Sequence, residues 1–229
     1  AETISPSPTE TVAPSPTPEE KVTITIGLLT DRTGPAAQAL TPVDQALMDV
    51  IRYFNENDMF PGAEVEVLEY DTAYDPSRVV PGYEWLKERG ADFMVSGIPL
   101  AATMLKERVD QDQMVFFALT ATPDMYTPPG YVFSVNIPVD TFLYTLMSWV
   151  AENDPDFPQG RPAKIGVLGM QDPYVQTMLD GIKAYCEARP NQWEWVNGFI
   201  IPWTQVNFPT EVEALKDCDY VVPPSTGIY

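Results

Sequence analysis

The stretch from Val22 to Gln38, VTITIGLLTDRTGPAAQ, constrains the fold more than any other, because an alternating apolar strand stops abruptly in a loop of Thr, Gly and Pro. Val22, Ile24 and Ile26 alternate with Thr23 and Thr25, and Leu28 and Leu29 complete a strand that ends at Thr33-Gly34-Pro35. A helix is expected next. Val43, Ala46, Leu47, Val50, Ile51 and Phe54 fall at i, i+3, i+4, i+7, i+8 and i+11, the spacing that turns one helical face toward a sheet. Thr41-Pro42 supplies an N-cap and a first-turn proline for that helix. A strand that delivers a loop and then a helix is the opening of an α/β domain with its ligand site at the strand tips.

The pattern repeats. Strands are expected at Val65 to Tyr70, Asp92 to Val95, Met114 to Leu119 and Tyr131 to Val135, with helices at Arg78 to Arg89 and Thr103 to Asp110 between them. Pro81-Gly82 predicts a late start or a bend in the second helix. Val139 to Ala151, apolar nearly all round, predicts a buried helix. The segment ENDPDFPQGRP breaks that density with acids, glycine and prolines and is read as a crossover. A second series then opens: a strand from Ala163 to Leu168, a helix from Val175 to Ala188, a strand from Trp193 to Ile201, a short helix from Pro209 to Lys216 and a strand from Asp219 to Val222. Alternating strands and helices mean βαβ units with parallel sheets and helices on both faces. The expected division is a Pro/Ser/Thr-rich linker at 1–21, a first α/β lobe at 22–151, a crossover at 152–162 and a partial second α/β lobe at 163–229. Three strands with an open apolar edge make a poor independent unit, so the second lobe is expected to be incomplete.

Composition excludes several functions. A formal charge of −20, from 33 acidic against 13 basic residues, leaves no basic cluster for nucleic acid. Such a balance reads as a solvated acidic surface, with a cationic substrate as the alternative. Histidine is absent, which removes the usual general base and the usual transition-metal ligand. Neither GxxxxGK[ST] nor GxGxxG occurs, and GVLG at Gly166 to Gly169 is only a strand end. No cofactor is expected. No apolar run is long enough to cross a bilayer. The first twenty residues, AETISPSPTETVAPSPTPEE, read as an extended tether, which fits a chain held off a membrane by a lipid anchor upstream of Ala1 after removal of a signal peptide; a trimmed chain is the alternative. Cys186 and Cys218 can pair only with each other, as a bridge in an oxidising compartment, or remain free thiols.

Five segments together resemble the type I periplasmic binding proteins, in particular the branched-chain amino-acid-binding proteins of ABC importers: IGLLTDRTGPAAQ, VLEYDTAYDPSR, MVSGIPLAATM, FFALTATPDMY and IGVLGMQDPYVQTMLDGIKA. The resemblance spans most of residues 22 to 229 and implies two Rossmann-like lobes with parallel central sheets that close over a ligand. It implies ligand contacts from the first loop at Gln38, from a loop at Leu100-Ala101-Ala102-Thr103, from Thr120-Ala121-Thr122, and from Tyr174 and Thr226 in the second lobe. Among these Thr122 carries the most weight, because a hydroxyl both donates to a carboxylate and accepts from an ammonium. The alternative for Thr122 is a cap on the following turn through Asp124. Ala101 stands where amino-acid binders usually carry a carboxylate-binding serine, and Ala39 where many carry an aromatic ring, so the ligand is left open among an amino acid, an amide and a less polar acid.

The function this implies is that of an extracytoplasmic solute-binding protein that grips a small polar ligand, hands it to an ABC permease and performs no chemistry. The alternative is the ligand-sensing ectodomain of a receptor on the same fold. An enzyme using Asp71 and Asp75 as an acid/base pair ranks last, because the Asp-Pro of DTAYDPSR reads as a turn and helix cap with no nucleophile beside it.

Overall fold

The computed structural model describes residues 21–120 and 122–223, with the backbone alone at 139–142. The tether at 1–20 lies outside the described residues. Strands β1 (Val22–Thr30), β2 (Ala63–Asp71), β3 (Phe93–Ser96), β4 (Phe116–Ala118) and β5 (Val132–Ser134) form a five-stranded parallel sheet in the order β2-β1-β3-β4-β5. Helices α1 (Ala37–Glu56), α2 (Pro76–Glu88) and α3 (Pro99–Asp112) connect them. The alternation read in β1 divides its side chains between the sheet's two faces. Ile26 and Leu28 pack with Val95 against Leu47, Met48 and Ile51 of α1, whereas Leu29 joins Val79, Tyr83 and Leu86 of α2 and Leu105 of α3 on the other face. Each such side chain contributes roughly 1.5–3 kcal/mol when fully buried.

The second sheet holds β6 (Ala163–Met170) between β7 (Trp193–Ile201) and β8 (Tyr220–Val222), again parallel. Helices α4 (Val139–Asn153), α5 (Pro173–Ala188) and α6 (Pro209–Leu215) accompany it. Ala163, Ile165 and Val167 of β6 meet Met178 and Ile182 of α5 on one face, and Leu168 and Met170 meet Leu215 of α6 on the other. Trp193 is fully buried, edge-on to Phe157 and beside Tyr220.

Several expectations are corrected by packing. Leu143 and Met147 of α4 belong to the cluster around α5, Tyr144 stacks on Tyr185 at 5.2 Å, and the Ser148 and Tyr185 hydroxyls are 2.6 Å apart. Helix α4 therefore belongs with the second sheet, and the chain passes between sheets at 135–138 rather than at 152–162, whose prolines and acids form the loop into β6. Nor is α4 buried all round, since Leu146 and Trp149 are exposed. Helix α1 begins at Ala37, not at Thr41-Pro42, so its buried face is rotated: Asp44 is buried, while Val43 and Val50 are 45% and 49% exposed. Cys186 and Cys218 are free thiols, because they sit in clusters on opposite faces of the second sheet. Burial pushes the Cys186 thiol up to about 11.

Candidate functional site

In an open parallel sheet the crevice lies where neighbouring strands send their connections in opposite directions, beyond the carboxyl ends. That point falls between β1 and β3 in the first sheet and at β6 in the second. The loops leaving these strand ends meet. Two adjoining cavities open there, of about 250 Å³ and about 510 Å³. The smaller is lined from the first sheet by Ala36, Leu40, Tyr74, Pro99 and Thr120 and from the second by Asp172, Tyr174, Val175 and Trp203. The larger shares Tyr74, Asp172 and Trp203 and adds Leu100, Gln171 and Gln176.

Local chemistry fixes the loop after β1. The fully buried Asp31 accepts from the main-chain N–H of Gly34 at 2.5 Å and of Ala36 at 2.8 Å, which curls the chain into α1. Gly34 is required there, since a Cβ would collide with the carbonyl of Ala73 and with Asp31. Ala73 and Tyr74 are both left-handed, with φ of 52° and 56°, and this turn projects the Tyr74 side chain across the crevice. The Tyr74 hydroxyl donates to the Asp172 carboxylate, and the Tyr74 ring lies 5.3 Å from that of Trp203.

Asp172 is 8% exposed and N-caps α5, accepting from the Tyr174 N–H at 2.7 Å, with Pro173 in the first turn behind it. Burial raises its pKa, against the opposing pull of the Tyr74 hydroxyl and the main-chain donors. Burial, together with the Asp172 charge, also raises the phenol of Tyr74, and likewise that of Tyr174. Trp203 is held by its indole N–H, which donates to the Gln171 carbonyl at 3.0 Å.

The structure brings three of the expected site residues to the crevice: Leu100, Thr120 and Tyr174. Thr120 is oriented by donation to the Gly97 carbonyl at 3.2 Å. Others lie elsewhere. Gln38 is exposed on the first turn of α1 and lines neither cavity. The expected loop at 100–103 is instead the first turn of α3, which starts at Pro99, so Ala101 and Ala102 point into the core with no exposure. Thr122 is buried and its hydroxyl donates to Asp124, the turn-capping alternative. Ala121 and Thr226 lie outside the described residues. Tyr74, Asp172 and Trp203 are site residues the sequence reading did not single out, although Asp172-Pro173 is a legible helix start.

Asp71 and Asp75 are structural. Asp71 accepts from the main chain of Arg32 and Ala73 and from the Thr33 hydroxyl; burial works against its charge, but these donors outweigh it and hold its pKa low. Asp75 caps α2 through Ser77. Among the described residues no group of three or more acidic or cysteine side chains is placed to hold a metal ion, and no helix is long and apolar enough to cross a membrane.

A family model described as periplasmic binding protein matches residues 23–226. The chain belongs to the periplasmic binding protein family. Its type I fold recurs in solved structures of low identity. One is a branched-chain amino acid ABC transporter protein from Thermus thermophilus with bound valine, at TM-score 0.76 and 16% identity, covering 89% of this chain and 52% of that one. Another is a solute binding protein of an ABC transporter from Rhodopseudomonas palustris BisB5 in complex with 3,4-dihydroxybenzoic acid, at TM-score 0.71, 18% identity and coverage of 88% and 54%. A third is an extracellular ligand-binding receptor from Rhodopseudomonas palustris HaA2, at TM-score 0.68, 19% identity and coverage of 89% and 54%. The chain thus spans about half the length of the structures it matches. No curated protein matches it.

Proposed function

We propose that this binding protein is the extracytoplasmic, solute-carrying component of an ABC importer, which holds a small polar ligand between two lobes and releases it unaltered. One lobe is built on the first sheet and the other on the second sheet with α4. The observation that carries this reading is the crevice itself: side chains from both sheets line one cavity at the strand tips, and Tyr74 reaches from one sheet to Asp172 and Trp203 of the other. Such a site rewards closure, because a ligand gains its full set of contacts only when both lobes engage it. Leu100, Thr120 and Tyr174 are the sequence-derived contacts this reading retains. The similar proteins that bind valine or dihydroxybenzoate support a small organic ligand, and their roles in ABC transport support a permease as the partner. A lipid anchor upstream of the tether completes the proposal. The ligand-binding receptor among the similar structures favours a sensory ectodomain as the second reading.

The experiment is a thermal-shift screen of the full chain against amino acids, amides, amines, aromatic acids and sugars. A ligand that binds only the native state at about a hundred times its Kd stabilises by about 2.7 kcal/mol. A hit is expected whose shift is lost in Tyr174→Ala. A hit whose affinity is untouched by Tyr174→Ala and Thr120→Ala together counts against this site.

A further inference from the structure

We propose that the crevice takes a ligand with an unbalanced positive charge, a small alkylated amine or quaternary ammonium, seated against the rings of Tyr74, Tyr174 and Trp203 and facing the Asp172 carboxylate. This rests on the crevice being the binding site and names the ligand class it suits.

Both the charge and the surface of the crevice suit a cation. Three aromatic rings line the smaller cavity, and ring faces attract cations, most strongly where water is excluded. Asp172, 8% exposed, is the one carboxylate among the described residues that line either cavity. No Lys or Arg is among those lining residues. The cation nearest in sequence to the first loop, Arg32, is engaged elsewhere: its guanidinium grips Glu69 at 2.7 Å and 2.5 Å and lies 3.7 Å from Asp44. The carboxylate of Asp31 also acts on the Tyr74 phenol, as a smaller contribution than burial and Asp172.

A carboxylate ligand would therefore bring its charge toward Asp172 and Asp31 with no basic side chain among the described lining residues to receive it. The threonine hydroxyls that could receive a carboxylate are already donating, Thr120 to the Gly97 carbonyl and Thr122 to Asp124. A cation meets the opposite situation. Asp172 accepts from the Tyr74 hydroxyl and from the Tyr174 and Val175 N–H groups, which leaves about one of the four acceptor positions of an ionised carboxylate, enough to face a cation. Burial disfavours the ionised Asp172, and an adjacent cation would offset that cost. Apart from Gly97 and Thr120 the remaining walls, Ala36, Ala39, Leu40, Pro99 and Val175, are apolar and suit methyl groups. The volume suits a small molecule: about 250 Å³ compares with the cavity of about 150 Å³ that holds benzene in an engineered protein core.

The test is titration calorimetry of the full chain with choline, tetramethylammonium, the neutral choline isostere 3,3-dimethyl-1-butanol, valine and benzoate, with the part of the tryptophan fluorescence change that Trp203→Leu abolishes locating the ligand. Choline should bind about tenfold or more tightly than its neutral isostere. Asp172→Asn and Trp203→Leu should each weaken choline by a similar factor. Asn remains a good N-cap, so the first variant keeps the start of α5, and circular dichroism checks both folds. If the isostere binds as tightly as choline, or valine or benzoate binds in the crevice more tightly, the charge assignment is overturned while the crevice stands as a binding site. If no probe perturbs Trp203, both are overturned.

Discussion

Replacing Tyr74 by Phe removes one hydroxyl and leaves the ring against Trp203, so it isolates the polar contact that spans the crevice. In the parent that hydroxyl donates to a carboxylate that is 8% exposed. A hydrogen bond to a charged group contributes about 1.5–3 kcal/mol. The contact joins residues on different sheets, so its loss should fall on the equilibrium between open and closed arrangements rather than on the folding of either. At about 1.4 kcal/mol per factor of ten, the ligand-free closed population should drop by a factor of roughly 10–100. Dyes placed on α2 and α5 would read this as a shift of the transfer-efficiency distribution toward larger separation. A second readout follows from the same bond: the hydroxyl lowers the Asp172 pKa, so Tyr74→Phe should move its titration higher. Unchanged dye separations together with an unchanged Asp172 titration would refute the idea that this pair couples the two sheets.

Three further outcomes are expected. Gly34→Ala forces a Cβ against the Ala73 carbonyl and should destabilise the chain by about 1–3 kcal/mol in urea melts while weakening ligand binding, because the Tyr74 turn must shift; a variant as stable as the parent contradicts the packing. Arg161 and the Lys164 N–H hold Asp219 down to about 2. Its folded pKa lies below the unfolded value of about 3.9, so the stabilisation is full above about pH 4 and drains as pH falls through about 2. Asp219→Asn should flatten that acid limb in stepped-pH denaturation, and an unaltered limb would count against the pair. Native thiol labelling should modify Cys218 before the buried Cys186, and non-reducing denaturation should expose both; a single alkylatable thiol or none contradicts the separation of their clusters.

The strands were legible because their periodicity is local. Ile24, Ile26, Leu28 and Leu29 announce β1, and β7 occupies the very span from Trp193 to Ile201 that its apolar run predicts. Helix starts were less legible. Pro99 opens α3 as a first-turn proline, yet the small residues behind it read as a loop, which put Ala101 and Ala102 at the ligand instead of in the core. Pro42 misled in the other direction, since α1 carries it inside the helix after starting at Ala37. The composition of 152–162 signalled a break, but composition says nothing of which sheet a preceding helix packs on, and α4 went to the second. At the site, Thr120 lies in the bend after β4 and Tyr174 in the first turn of α5, each close to a recognisable strand end. The pairing of Tyr74 with Asp172 spans 98 residues and depends on a left-handed turn at an alanine and a tyrosine, which no local pattern encodes.

The most direct measurement of the central claim is a crystal structure of the chain with the ligand found by screening. Ligand density is expected in the crevice in simultaneous contact with Tyr74 and Thr120 from the first sheet and with Asp172, Tyr174 and Trp203 from the second. A ligand seated on one sheet alone, or in the groove between α4 and α5 beside Tyr185, would contradict it.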